Sequence, residues 1–144
     1  MTVDDAKRAL IARIKGLESS TFEITSAEAE DYNCIAWAAH DTERWWWPTG
    51  GFWPPGVVEE ETLNAFEAAY GTLGYVACGD ADLEDGYEKV ALYALRGIPT
   101  HAARQLPGGA WTSKLGALED VQHPLDGLQV EDYGAPVRYL KRRR

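Results

Sequence analysis

Cys34, in the segment YNCIAWA at 32–38, is the side chain whose type and setting best fit nucleophilic chemistry. The thiolate is the reactive form, and a free thiol with a pKa of about 8.5 is mostly protonated at neutral pH. Two devices lower that pKa: the partial positive charge at a helix N-terminus, and an imidazole able to hold the proton. A helix beginning near residue 31 supplies the first. For the second there are three candidates, His40, His101 and His123. His40 lies six residues further along the same stretch and points elsewhere. His101 opens a predicted strand just after a bend at Pro99, and alternation through HAARQ sends its side chain to the face of Ala103 and Gln105. If that face packs toward the start of the cysteine helix, imidazole and thiol meet. His123 follows the short segment LEDVQ and precedes Pro124; it either orients His101 or stands alone in a loop.

Four further side chains belong to the same chemistry. Tyr32 and Asn33 flank the thiol, and either can donate a hydrogen bond to a developing oxyanion. Set against that, Asn33 caps a turn and Tyr32 simply packs. Lys114 either neutralises a substrate carboxylate or is a solvated lysine at a strand end. Trp47 closes a run of three tryptophans that cannot all share one face, so some of them cover a flank or line a groove, and Trp47 is the substrate-side candidate.

These residues need elements to hold them. Val3, Ala6, Leu10, Ile14 and Leu17 recur at helical spacing and predict a helix over 3–17. An extended piece, TFEIT, follows, and then a second helical stretch for which Ser26 or Asp31 is the expected N-cap. Residues 41–57 hold three prolines, three glycines and four tryptophans, which forbids a long regular element but not an ordered loop. Leu63, Phe66, Tyr70 and Leu73 mark another amphipathic helix, closed by the glycines of GTLG. From residue 75 the pattern turns strand-like: YVAC, EKVALYAL, THAARQL, AWTSKL and APVRYLK, with RGIP and PGG as turns. Helices first and strands late predict an α+β domain, an antiparallel sheet packed against the cysteine-bearing helix.

At 144 residues the chain has the size of one domain, spanning 1–144 with a basic tail at 141–144 that either frays in solvent or touches an acidic partner. Fourteen Lys and Arg against 23 Asp and Glu give a net charge of −9, which disfavours nucleic acid and anionic membranes as partners. No apolar run is long enough to span a membrane, and the start is acidic where a signal peptide would be basic, so the expected location is the cytoplasm. Cys34 and Cys78 are then expected as two free thiols. The chemistry requires no cofactor, and the sequence does not fix an oligomeric state.

A cysteine opening a helix, a later strand-opening histidine and a polar group on the next strand resemble the papain-like superfamily, in particular its compact NlpC-type branch. The 67-residue gap from Cys34 to His101 suits that branch better than larger papain-type peptidases, where it is about 130 or more. The segments YNCIAWA, WWWP, FWP, GYVAC, EKVALY, THAARQLPGGAWTSKLG and the late YG also resemble an uncharacterised bacterial domain family over about residues 20–143. The resemblance implies a compact papain-like fold and a cysteine hydrolase or acyltransferase acting on a peptide, amide or isopeptide bond. Cys34 would form an acyl-thioester, its own N–H contributing to the oxyanion hole, and His101 would be the general base. The third, orienting position falls near Ser113, whose hydroxyl accepts from an imidazole more weakly than a carboxylate does; His123, Asp120 or Glu119 are the substitutes.

Other readings stand beside this one. Cys34 can be a buried structural thiol. Cys34, Cys78, His101 and His123 could form a zinc set, although they lack the close ligand pairs of structural zinc sites. The same scaffold can also serve as a non-catalytic protein-binding module of the immunity or adaptor kind, with the tryptophan loop as its contact surface.

Overall fold

The protein is described from a computed structural model covering residues 2–14, 22–125 and 133–144. Helix α1 (Val3–Arg13) starts at a capping box in which Thr2 accepts from the Asp5 N–H and the Asp5 carboxylate accepts from the Thr2 N–H. The helix ends short of the expected 3–17, because Ile14 is an extended C-cap; residues 15–17, and the opening threonine of TFEIT, lie outside the described residues. Strand β1 (Glu23–Ser26) forms one edge of the sheet.

Helix α2 (Cys34–Ala38) begins later than expected. Its N-cap is Asn33, not Ser26 or Asp31. The Asn33 backbone is extended and its side-chain oxygen accepts from the Ala36 N–H at 3.1 Å, the geometry that satisfies an otherwise orphaned first-turn donor. Cys34 is therefore the first residue of α2. The helix stops when His40 takes a left-handed backbone, φ 63°. Helix α3 (Leu63–Gly71) is capped by Thr62 and tied to α2 by the Tyr70 hydroxyl, which donates to the Ile35 carbonyl at 2.7 Å.

The remaining strands are β2 (Val76–Cys78), β3 (Tyr87–Leu95), β4 (Ile98–Gln105), β5 (Trp111–Lys114), β6 (Asp120–His123) and β7 (Ala135–Arg143). With β1 they form a seven-stranded sheet in the order β1-β6-β5-β4-β3-β7-β2, every neighbouring pair antiparallel. Pro99 lies inside β4 and is not a bend before it. The β3–β4 turn is Arg96-Gly97, both at positive φ, the backbone hand that a two-residue hairpin requires. The basic end is no frayed tail: β7 runs to Arg143, and the Arg144 N–H donates to the Gly86 carbonyl.

The strand period divides the core in two. Val90, Leu92, Ala102 and Leu140 face α2, α3 and the tryptophan loop, packing with Cys34, Ile35, Trp46, Trp53, Phe66 and Tyr70. Ala91, Tyr93, Ala103 and Trp111 face the other way. Leu10 of α1 and its C-cap residue Ile14 cover Leu115 and Val121. Ile35 alone, fully buried, contributes about 1.5–3 kcal/mol of transfer free energy toward holding α2 on the sheet.

Candidate functional site

Cys34 faces an open groove of about 350 Å³, shared with Asn33, Trp45, Trp47, Thr100, Gly116 and Tyr133. Of the expected substrate-side residues, Tyr32, Asn33, Trp47 and Lys114 all gather on this face of the sheet, but each is already engaged. The Asn33 oxygen also accepts from the Trp46 N–H, and its amide donates to the Trp46 carbonyl at 2.7 Å, so Asn33 fastens the tryptophan loop to α2. The Tyr32 hydroxyl donates to Asp120, its ring stacks on Trp37, and burial followed by the Asp120 charge raises its pKa. That proton points away from any oxyanion at Cys34. Trp47 packs edge-on against Phe66.

Lys114 is no solvated strand end. It is fully buried, donates to the Ala29 and Gly116 carbonyls at 2.7 and 2.6 Å, and lies over the Tyr32 ring. Burial lowers its pKa, while Asp120 and Cys34 oppose that shift. Asp120 sits opposite Lys114 in the β5–β6 pairing and receives the hydroxyls of Tyr32 and Thr25. Asp120 therefore organises this corner and orients no histidine. Its β6 strand is hidden in sequence because DVQH buries two polar residues and defeats the apolar alternation.

The Cys34 thiol itself is buried, and burial pushes its pKa up to about 11; the N–H groups of Ala102, Ile35 and Cys34 and the Lys114 charge pull the other way without offsetting it. At neutral pH the sulfur is a protonated thiol.

His101 is on the other face. It pairs across strands with Tyr93, their rings edge-on with centroids 5.0 Å apart, and stacks on Tyr133 at 4.2 Å. Alternation keeps His101, Ala103 and Gln105 together as expected. The face they share is the one turned from α2, because Ala102 is the residue that packs with Cys34. The structure thus does not bring the Cys34 thiol and the His101 ring together. Neither His101 ring nitrogen has a hydrogen-bond partner among the described residues, and burial, then His123, holds its pKa well below the usual histidine range.

Ser113 and His123 meet each other on that far face. Their Oγ and Nε2 are 2.7 Å apart, and His123 Nδ1 lies 2.6 Å from the Pro124 carbonyl. A carbonyl only accepts, so Nδ1 carries the proton and Nε2 accepts the serine hydroxyl. His123 is therefore a strand residue satisfied on both nitrogens, its pKa lowered to about 4 by burial, and not a loop histidine orienting His101. The zinc set fails as well: Cys78 lies on edge strand β2, and among the described residues no three His, Cys, Asp or Glu converge to hold a metal. Both cysteines are free thiols. Among the described residues no helix is long and apolar enough to cross a membrane.

Fold and site together define an α+β domain on an antiparallel sheet, with an aromatic-walled groove over a buried thiol at the head of a short helix. The chain belongs to the family described as Domain of unknown function (DUF7689), whose model matches residues 23–141. Neither a curated protein nor a solved structure shows a match.

Proposed function

We propose that the groove over Cys34 is a recognition site, and that the domain works as a protein-binding module of the adaptor kind on a compact papain-like scaffold. The observation that carries this reading is the state of Cys34: a protonated, buried thiol, with His101 and His123 on the other face of the sheet and His40 engaged by Glu88. A cysteine opening a helix packed on an antiparallel sheet supports the papain-like scaffold. Trp45, Trp47 and Tyr133 give the groove apolar, rigid walls, suited to an aromatic or aliphatic side chain on an amide-containing segment. Capped dipeptides carrying aromatic, aliphatic or charged side chains, titrated against tryptophan fluorescence, test it. Apolar peptides are expected to bind wild type and Cys34→Ala alike and to lose affinity in Trp45→Ala. Equal binding of all three peptide classes, or none, contradicts it.

A second reading, the cysteine hydrolase or acyltransferase, is favoured by the register irregularity between Tyr93 and Ala94, beside the Tyr93–His101 pair. A one-residue slip there would turn His101, whose ring nitrogens have no hydrogen-bond partner among the described residues, to the opposite face and toward Cys34. His101 would then accept the thiol proton as Cys34 attacks the carbonyl, and pass it to the leaving amine as the acyl-thioester forms. Turnover of a capped dipeptide by wild type and not by Cys34→Ala is its signature.

A further inference from the structure

Away from the groove, four cationic or potentially cationic side chains surround one buried carboxylate. Strands β4, β3 and β7 run side by side, and Glu88 sits at the centre, directly across from Arg142. His40 Nε2 hydrogen-bonds to Glu88 Oε1, and Arg104 Nε stands 3.8 Å from the same oxygen. Arg142 and Arg144 each stand 3.8 Å from Oε2. Three permanent positive charges thus face one negative charge, a surplus of two in a chain whose net charge is −9.

None of the three guanidiniums is close enough to Glu88 for a hydrogen bond, which needs about 2.7–3.2 Å. Two of them bond instead to backbone carbonyls, Arg142 Nη1 to Leu73 at 3.0 Å and Arg144 Nη2 to Gln105 at 3.1 Å. Arg104 Nε is buried with no hydrogen-bond partner among the described residues. Two of the guanidiniums lie over rings, Arg104 5.3 Å from the Trp37 centroid and Arg142 4.6 Å from the Tyr75 centroid, contacts that limit where their forks can turn. A carboxylate shared this way leaves donors over, and a group bearing several oxygens and two negative charges fits them.

We propose that the Arg104–Arg142–Arg144 cluster, with His40 on its rim, is a binding site for a small phosphate monoester or inorganic phosphate. The pre-set forks match its oxygens bidentately, and Glu88 spaces the guanidiniums and holds them together while the site is empty. A small anion suits the cluster better than a polyanionic surface. The chain's negative charge repels an extended anionic partner, whereas a compact ligand within a Debye length, about 10 Å, senses the local surplus first.

Calorimetric titration with inorganic phosphate at constant low ionic strength tests this. Saturable binding at one site per chain is expected, about tenfold weaker in Arg144→Gln and in Arg142→Gln, and tighter in Glu88→Gln, where the competing carboxylate is gone. Arg144→Gln removes a partly exposed side chain, so its thermal unfolding midpoint serves as the folding control. Absence of saturable heat in wild type, or unchanged affinity in folded Arg144→Gln, overturns the proposal. Retention on phosphatidylserine vesicles with no binding of free phosphate overturns the small-ligand assignment.

Discussion

Cys34 packs with Ala102 in one core cluster, and the residue before Ala102 on β4, His101, turns to the opposite face to stack on Tyr133 at 4.2 Å. One residue of strand thus separates the two groups most suited to acyl transfer, and the sheet lies between them.

Stability falls on acidification. His101 and His123 are buried and neutral, with native pKa values below the ordinary 6.5, that of His123 at about 4. The unfolded chain therefore binds more protons, and stability present above pH 6.5 is lost as pH drops toward 4. For His123 the loss is about 3 kcal/mol over that window. Urea unfolding at pH 7.5 and 5.0 captures about 2 kcal/mol of that, and His123→Gln should flatten the dependence by roughly half.

Removing the Asn33 side chain uncouples α2 from the tryptophan loop. Asn33→Ala deletes a cap and leaves the buried Trp46 backbone groups unpartnered, so the cost should be about 2–4 kcal/mol. Asn33→Asp keeps the acceptor and should recover about 1 kcal/mol of it. Denaturant midpoints of the two variants decide this; equal losses would mean that the cap contributes nothing.

Asp120 is worth more to the fold than its position beside a turn suggests. Asp120→Ala leaves the Tyr32 hydroxyl unpaired, leaves Thr25 only the Asp120 backbone carbonyl, and leaves the buried Lys114 ammonium without its nearby counter-charge, at a cost of about 3 kcal/mol or more. Lys114→Met in the same background should restore part of that, because an uncompensated buried charge is removed. The double variant's midpoint lying below that of Asp120→Ala would contradict the coupling.

Much of this architecture could be read from residue types, and the reasons for what could not are local. Leu63, Phe66 and Tyr70 announce α3 because its buried face is apolar throughout. The hairpins at Arg96-Gly97 and Pro107-Gly108-Gly109 follow from turn chemistry. Strand β6 escapes because Asp120 and His123 are polar yet buried, a burial that partners on other strands make possible. Period-two alternation correctly groups His101 with Ala103 and Gln105, but it does not say which face of a two-sided sheet receives α2. That choice is made by packing between segments far apart in the chain, Cys34 and Ile35 of α2 against Val90, Leu92, Ala102 and Leu140. The Glu88 cluster is likewise assembled from residues on three strands.

The tryptophans divide into structural and surface members. Trp46, buried between Phe52, Trp53 and Tyr70, should cost about 3–5 kcal/mol as Trp46→Ala. Trp45, 38% exposed on the groove wall, should cost well under 1 kcal/mol while weakening ligand binding. Thermal unfolding of both variants, with peptide fluorescence for Trp45→Ala, separates the two roles.

The central claim, that Cys34 is an unactivated thiol on the opposite side of the sheet from His101, is tested most directly by iodoacetamide alkylation. The rate at Cys34 is followed by mass spectrometry across pH 5–11 in wild type and His101→Ala. Slow alkylation that rises toward pH 11 with no neutral midpoint is expected, the same in both proteins. A midpoint at or below about 8.5 in wild type that moves upward in His101→Ala would contradict it and establish the cysteine–histidine pair.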